Sequence, residues 1–159
     1  MTETPDLEQN PIIAKIRGWR PEAVAGLNLF RGELTVLIYR EHLRPLAEML
    51  QSDEDLAFTF LSDVTAVDRF PTEPRFELNY HLLSLKQRQT IRLRVRVPGN
   101  DPVTESVVSV WPTANWHERE IFDLMGIRFE GHPNLKRMLL PDDWEGHPLR
   151  KDYPVEGPR

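Results

Sequence analysis

Hydrophobic positions in the first half of the chain follow helical and strand spacings in turn. The isoleucines of NPIIAKI lie on one side of a short helix, for which Asn10 supplies the N-cap and Pro11 the first turn. The stretch LNLFRGELTVLIY predicts a hairpin that turns near Arg31 and Gly32. A second helix is predicted where four apolar residues recur at spacings of three and four, namely Leu43, Leu46, Ala47 and Leu50.

Three further strands are predicted in LAFTFLSDVTAVD, FELNYHLLSL and TIRLRVRVP. In the last strand, apolar residues alternate with Arg92, Arg94 and Arg96, which therefore share one face. We expect these arginines to lie beside sheet carboxylates such as Glu77, and docking of an acidic protein partner is the alternative. The order of elements predicts an α+β fold, with a mostly antiparallel sheet and helices packed on one face.

The stretch NWHEREIFDLMGI predicts a third helix of about three turns. Asn115 is expected to cap this helix together with Glu118, in a capping box, and Gly126 is placed to end it. Three apolar residues should form its buried stripe, namely Ile121, Leu124 and Met125.

The same helix carries acidic residues that need cationic neighbours. Glu120 and Asp123 lie one turn apart, and Arg119 can pair with Asp123 at a spacing of four. Because neighbouring carboxylates repel each other, we expect them to pair with basic residues of the following segment, namely Lys136, Arg137, Arg150 and Lys151. That segment, residues 131–154, has no helical or strand periodicity and contains two Gly-His-Pro triplets fifteen residues apart.

Length and composition restrict the function classes. The chain has 159 residues, enough for one domain, and its net charge of -5 gives no electrostatic footprint for nucleic acid. It has no cysteine, which excludes disulfides and any iron–sulfur cluster held by this chain alone. No apolar run approaches the roughly 20 residues of a membrane span, and the acidic start lacks signal-peptide features, so we expect a soluble protein that is not secreted.

A metal site is a less favoured interpretation of the histidines and carboxylates. His117 and Glu118 resemble the start of a zinc-protease motif, but Ile121 occupies the position of its second histidine. A looser set could in principle surround an ion: His117, Glu120, Asp123, His132 and His147. Both later histidines lie between glycine and proline, which hold them at a bend whether or not they bind a metal.

A family resemblance rests on the third helix and the residues after it. The run Glu118-Arg119-Glu120-x-x-Asp123-Leu124-Met125, followed by His132, Lys136 and Met138-Leu139, resembles the signature of the 30 kDa subunit of respiratory complex I. In the bacterial NADH:quinone oxidoreductase this is the C subunit. The stretches SDVTAVD, GHPNLKRMLLPDDW and GHPLRKDYP also resemble segments of that family, so the resemblance runs from about residue 30 to residue 154.

The resemblance implies a non-catalytic structural subunit in the hydrophilic arm of a proton-pumping NADH:quinone oxidoreductase. It implies docking on the 49 kDa subunit near the quinone site, peripheral to the cytoplasmic face of a bacterial cell membrane. The chain would hold no cofactor, and flavin, iron–sulfur clusters and quinone would belong to partner subunits. The alternatives are the equivalent subunit of a membrane-bound hydrogenase or plastoquinone-linked complex and, less favoured, a small metal-binding enzyme.

The resemblance also divides the chain into two parts. Residues 1–130 are expected to form a single α+β domain with a short acidic N-terminal tail, and residues 131–159 an extended docking segment. Prolines lower the entropy of such a segment before it binds, and aromatic residues and arginine dominate interface energetics. The candidate interface or ion-pair residues are Glu118, Arg119, Glu120, Asp123, His132, Lys136, Arg137, Trp144, His147, Arg150, Lys151 and Tyr153.

Overall fold

A computed structural model describes residues 7–157 apart from the side chain of Glu8, so most of the predicted acidic N-terminal tail lies outside the described residues. The described α-helices are α1 (Pro11–Trp19), α2 (Leu43–Ser52) and α3 (Ala114–Met125). Short 3-10 turns span Leu7–Gln9, Pro21–Ala23 and Arg40–His42. The strands are β1 (Val24–Phe30), β2 (Glu33–Ile38), β3 (Phe60–Asp68), β4 (Phe76–Ser84), β5 (Gln89–Val97), β6 (Val103–Glu105) and β7 (Arg128–Glu130).

Strands β1 to β5 form one sheet in the order β1-β2-β5-β4-β3, and β6 and β7 form a small parallel pair. The α+β fold with a mostly antiparallel sheet is confirmed, because three of the four strand pairs in the large sheet are antiparallel. The pair β2–β5 is parallel, with Leu34 beside Ile91 and Ile38 beside Val95. This pair joins the hairpin β1–β2 to the meander β3–β4–β5.

The core lies between one face of this sheet and the helices. The predicted apolar residues of α1 and α2 are buried in the same cluster as the inward residues of β2, β4 and β5. Local signals predicted these elements well. Asn10 caps α1 as expected, and its Oδ1 accepts a hydrogen bond from the Ile12 N–H at 2.9 Å. Arg31 and Gly32 have φ of 52° and 82°, which is the geometry of a tight hairpin turn.

The opposite face of the sheet carries the predicted arginine row. Glu77 is only 2% exposed, although it lies on this outer face, because arginines surround it. Its carboxylate lies 3.1 Å from Arg94 Nε, 3.6 Å from Arg96 Nε and 2.9 Å from Arg69 Nε. Arg92 pairs with Glu33 on the neighbouring strand. These pairs confirm the expected structural role of the row and leave little positive charge for an acidic partner.

The start of α3 differs from the prediction. Thr113 occupies the N-cap position, but its Oγ1 donates to Leu61 O at 3.4 Å and does not cap the helix. Asn115 lies inside the helix, and its Oδ1 is buried and unpaired among the described residues. The capping-box prediction was wrong, because the carboxylate of Glu118 accepts from Ser106 and Val107 of a neighbouring loop instead of from the helix start. The helix ends as predicted at Gly126, which has φ of 70° and donates to Phe122 O at 2.9 Å.

Candidate functional site

The carboxylate of Asp123 holds the first part of the C-terminal segment against α3. Asp123 is fully buried, and its Oδ2 accepts hydrogen bonds from three consecutive backbone N–H groups, at Met138, Leu139 and Leu140. Its Oδ1 accepts from Arg137 Nη1 at 2.8 Å. Burial raises the pKa of Asp123, but the hydrogen bonds from Leu140 and Arg137 outweigh it, so the pKa lies below its usual value.

Arg137 extends this attachment along the segment. Its Nη1 also donates to the carbonyl oxygen of Asp123 at 3.0 Å. Its Nη2 donates to the carbonyl oxygens of Trp144 and Gly146 at 3.1 and 2.9 Å. One guanidinium therefore joins the helix to two later points of the segment, using the fixed fork geometry that suits arginine to such a position.

The second half of the segment covers the C-terminal end of α3. His147 donates from Nδ1 to Asp123 O at 2.9 Å, and the Leu149 N–H donates to Leu124 O at 3.0 Å. Arg150 Nε donates to Met125 O at 2.6 Å. These groups satisfy the last carbonyl oxygens of the helix, which have no partner within the helix itself, and the arginine complements the negative end of the helix dipole.

The close approach of this segment explains the glycine at the helix end. A Cβ on Gly126 would lie 2.5 Å from His147 Cδ2 and 2.7 Å from Arg150 Nη2, and φ there is 70°. The ring of His147 also packs at a tilt beside Phe122. Burial lowers the pKa of His147, and the positive charges of Arg150 and Arg137 add to this effect against the hydrogen bond to Asp123.

Arg119 has a different partner from the predicted one. The expected pair with Asp123 is absent: Arg119 Nε donates to Lys136 O at 3.2 Å, and its guanidinium lies 5.0 Å from the centroid of the Trp116 ring. Asp123 is already enclosed by Arg137 and backbone donors, which leaves no room for this pairing. Lys136 therefore takes part through its backbone carbonyl, and its side chain is exposed.

A network around Arg75 joins the segment to the sheet, and sequence reasoning missed it. Arg75 Nε and Nη2 bind both carboxylate oxygens of Asp68 at 2.9 and 2.8 Å, and its guanidinium also binds Asp152 at 2.6 and 3.0 Å. The Lys151 N–H donates to Asp68 Oδ2 at 2.9 Å. Burial raises the pKa of Asp68, but the bonds from Arg75 and from the Lys151 and Phe70 N–H groups lower it to about 2.

Glu118 is a buried acid without a basic partner among the described residues. It is 0% exposed and accepts from Ser106 Oγ at 2.6 Å and from the Val107 N–H at 2.8 Å. Burial raises its pKa to about 7, and these two hydrogen bonds only partly oppose the rise. The hydroxyl of Tyr80 is also buried and has no hydrogen-bond partner in the described part of the chain. Burial together with the charge of Glu118 raises the pKa of Tyr80.

The histidines and carboxylates of the possible metal set are not gathered around one point. Within residues 7–157, no group of three or more His, Cys, Asp or Glu side chains could hold a metal ion. His132 accepts from the Asn134 N–H at Nδ1 and donates from Nε2 to Asn115 O. Asp123 and His147 use their polar atoms to attach the segment. The two Gly-His-Pro triplets thus hold histidines that bind backbone groups.

Several apolar side chains of this region point outwards while the backbone is held inwards. Trp116 is 58% exposed, Leu139 57%, Leu149 54% and Trp144 38%. Tyr153 is half-buried, and its ring covers Gly146.

Glu120 is exposed, and its carboxylate forms no hydrogen bond or ion pair with any residue in the described range, in contrast to the expected pairing with the basic residues that follow. Lys151 is exposed as well.

The fold and the site together define a small α+β protein whose C-terminal segment is attached to its last helix. The family model of the respiratory-chain NADH dehydrogenase 30 kDa subunit matches residues 36–159. The chain therefore belongs to this family of complex I subunits, which confirms the resemblance drawn from the sequence.

Relatives of the chain are named as the C subunit of NADH-quinone oxidoreductase. The relative from Roseiflexus sp. (strain RS-1) is 45% identical over 149 residues, which are 94% of this chain and 86% of that protein. The relative from Geotalea uraniireducens (strain Rf4) is 42% identical over 151 residues, 95% of this chain and 91% of that protein. A solved structure of the trypsin-resistant fragment of Nqo5 superposes with a TM-score of 0.66 at 30% identity, covering 78% of this chain and 98% of that one.

Within residues 7–157, no helix is both long enough and apolar enough to span a membrane.

Proposed function

We propose that this chain is a non-catalytic structural subunit in the hydrophilic arm of a proton-pumping NADH:quinone oxidoreductase. It docks on the 49 kDa subunit near the quinone site, at the cytoplasmic face of a bacterial cell membrane. In this role it holds no cofactor, and flavin, iron–sulfur clusters and quinone belong to partner subunits. The enzyme activity is that of the whole complex.

The observation that carries the proposal is the arrangement of residues 131–154, which we call the anchored segment. Its backbone is attached to α3 by Asp123, Arg137 and Arg150, while Leu139 and Trp144 remain accessible. A segment fixed in this way loses little conformational entropy when a partner binds. More of the free energy gained by burying its apolar side chains therefore appears as affinity. Large aromatic side chains are the residue type that most often dominates such contacts.

The two alternatives gain less support. A hydrogenase or plastoquinone-linked assembly is disfavoured by the relatives, which are named as subunits of NADH-quinone oxidoreductase. A small metal-binding enzyme would need the carboxylate of Asp123 and the ring of His147, and both are engaged with the anchored segment. A carboxylate oxygen that already accepts three N–H groups is poorly available to a metal ion.

The test is assembly of variants in cells that contain the other subunits. Leu139→Ala combined with Trp144→Ala removes two exposed side chains and keeps every backbone attachment of the anchored segment. We expect a large loss of co-purification with the 49 kDa subunit and only a small decrease in the melting temperature of the isolated chain, because Leu139 is 57% and Trp144 38% exposed. The matched control is Phe30→Ala with Leu85→Ala, since these side chains are 63% and 68% exposed near the hairpin turns, away from the segment. Normal co-purification of the first pair would refute the docking role.

A further inference from the structure

A groove between β3 and α3 lies beside the anchored segment and is lined mainly by apolar side chains. Its walls come from three elements and include Ala66, Ile121, Leu124, Met125 and Leu149. Its volume of about 180 Å³ is below the roughly 300–1,000 Å³ of small-molecule sites. A groove of this size and lining suits one or two apolar side chains of another protein better than a cofactor.

Glu120 lines the same groove and is the acid of the third helix that the fold does not use. The neighbouring acids Glu118 and Asp123 are buried and hydrogen-bonded, whereas Glu120 is exposed without an ion pair among the described residues. Among the described residues, the one other polar residue that lines the groove is Thr65, which is uncharged and whose side chain lies on the outer face of β3, because it alternates with Val64 and Ala66. The groove therefore combines apolar walls with one free negative charge.

We propose that this groove is a docking socket for an apolar side chain of the partner subunit that lies next to a lysine or arginine, with the basic residue pairing with Glu120. The inference rests on the proposed function, because the occupant is the subunit on which the anchored segment docks. Charge complementarity selects a basic neighbour, since Glu120 is the single charged residue that lines the groove within residues 7–157.

The socket is continuous with the proposed docking surface. Leu149 forms one wall and also belongs to the anchored segment, where its backbone N–H is bonded to Leu124 O at 3.0 Å. Its side chain is 54% exposed, so its outer part remains available to a partner. Because the wall is fixed before binding, the socket is preformed, and the cost of ordering it on association is small.

The first test changes the charge of Glu120. Glu120→Arg places a positive charge opposite the partner's basic residue. Because like charges at an interface repel each other, we expect the yield of co-purified 49 kDa subunit to fall about tenfold or more. Glu120→Gln should give a smaller loss, and both variants should melt at the wild-type temperature. The matched control is Glu22→Arg, an exposed acid on the 3-10 turn after α1, which should assemble normally.

The second test identifies the occupant directly. A photo-reactive amino acid at Leu149, which lines the groove and is 54% exposed, should cross-link in the assembled complex to a partner segment in which an apolar residue adjoins a lysine or arginine. A cross-link to a segment without a basic residue, or no cross-link at all, would overturn the socket. Normal assembly of Glu120→Arg alongside failure of the Leu139 and Trp144 variant would overturn the socket but leave the docking role intact. A wild-type chain that retains no other subunit would refute the proposed function itself.

Discussion

The replacement of Glu118 by glutamine should remove a pH dependence of folding. Glu118 is fully buried and pairs with no cation of residues 7–157, and burial raises its pKa from about 4.5 to about 7 in the folded protein. A carboxyl group with a raised folded pKa binds its proton more tightly in the folded state than in the unfolded state. Its stabilising contribution is therefore complete below pH 4.5 and is lost as the pH rises through about 7.

The size of the effect follows from the shift. Each pKa unit corresponds to about 1.4 kcal/mol, so the free energy of unfolding should fall by about 3 kcal/mol between pH 4.5 and pH 8 because of this one group. Glutamine has nearly the shape of a protonated glutamate and cannot ionise. We expect Glu118→Gln to lack this decrease, so the variant should gain stability relative to the wild type as the pH rises.

Urea denaturation of both proteins at several pH values between 5 and 8 measures this difference. Other groups do not interfere, because their contributions cancel between wild type and variant. His147, for example, has a lowered pKa in the folded state, so its contribution is present above its unfolded pKa and is lost as the pH falls through the folded value. Parallel stability profiles for the two proteins would show that Glu118 keeps its charge throughout and would refute the reasoning.

Two further predictions concern the attachments of the C-terminal segment, and thermal melts of the isolated chain check both. Asp123→Ala removes the carboxylate that binds Arg137 and three backbone N–H groups and should cost on the order of 3 kcal/mol, whereas Glu120→Ala should cost well under 1 kcal/mol. Equal melting temperatures of these two variants would contradict the difference in burial between Asp123 and Glu120. Arg75→Ala strands the buried carboxylate of Asp68 and should cost roughly 3–5 kcal/mol; a loss below 1 kcal/mol would mean that the folded state does not need the pair.

Much of the fold could be predicted because its signals are local. The N-cap at Asn10, the turn at Arg31 and Gly32, and the end of α3 at Gly126 each depend on a few adjacent residues. The parallel pairing of β2 with β5 could not be predicted, because alternation tells which face of a strand is buried and not which strand lies beside it. Neighbouring strands in a sequence pair only about two-thirds of the time.

The sequence predicted which types of residue form the site, but it predicted only some of the pairs that they form. Acids of α3 were expected to meet bases of the following segment, and Asp123 does meet Arg137. The network of Arg75 was missed because its two acids are far apart in sequence. Asp68 did carry a signal, since it follows Val64 and Ala66 at a spacing of two and so lies on the inward face of β3. A carboxylate on that face needs buried hydrogen-bond donors, and a cation among them keeps it charged.

The lack of periodicity in residues 131–154 follows from what these residues bind. Carbonyl groups at the end of α3 and the carboxylate of Asp123 fix the backbone, and they are spaced by the helix rather than by any repeat in the segment. A chain shortened after Leu140 would lose the groups that cap α3 and the partner of Arg75 at Asp152. Such a truncation would weaken the fold and any contact with a partner together, so it cannot separate the two roles. Substitution of outward side chains such as Trp144, which keeps the backbone attachments, can separate them.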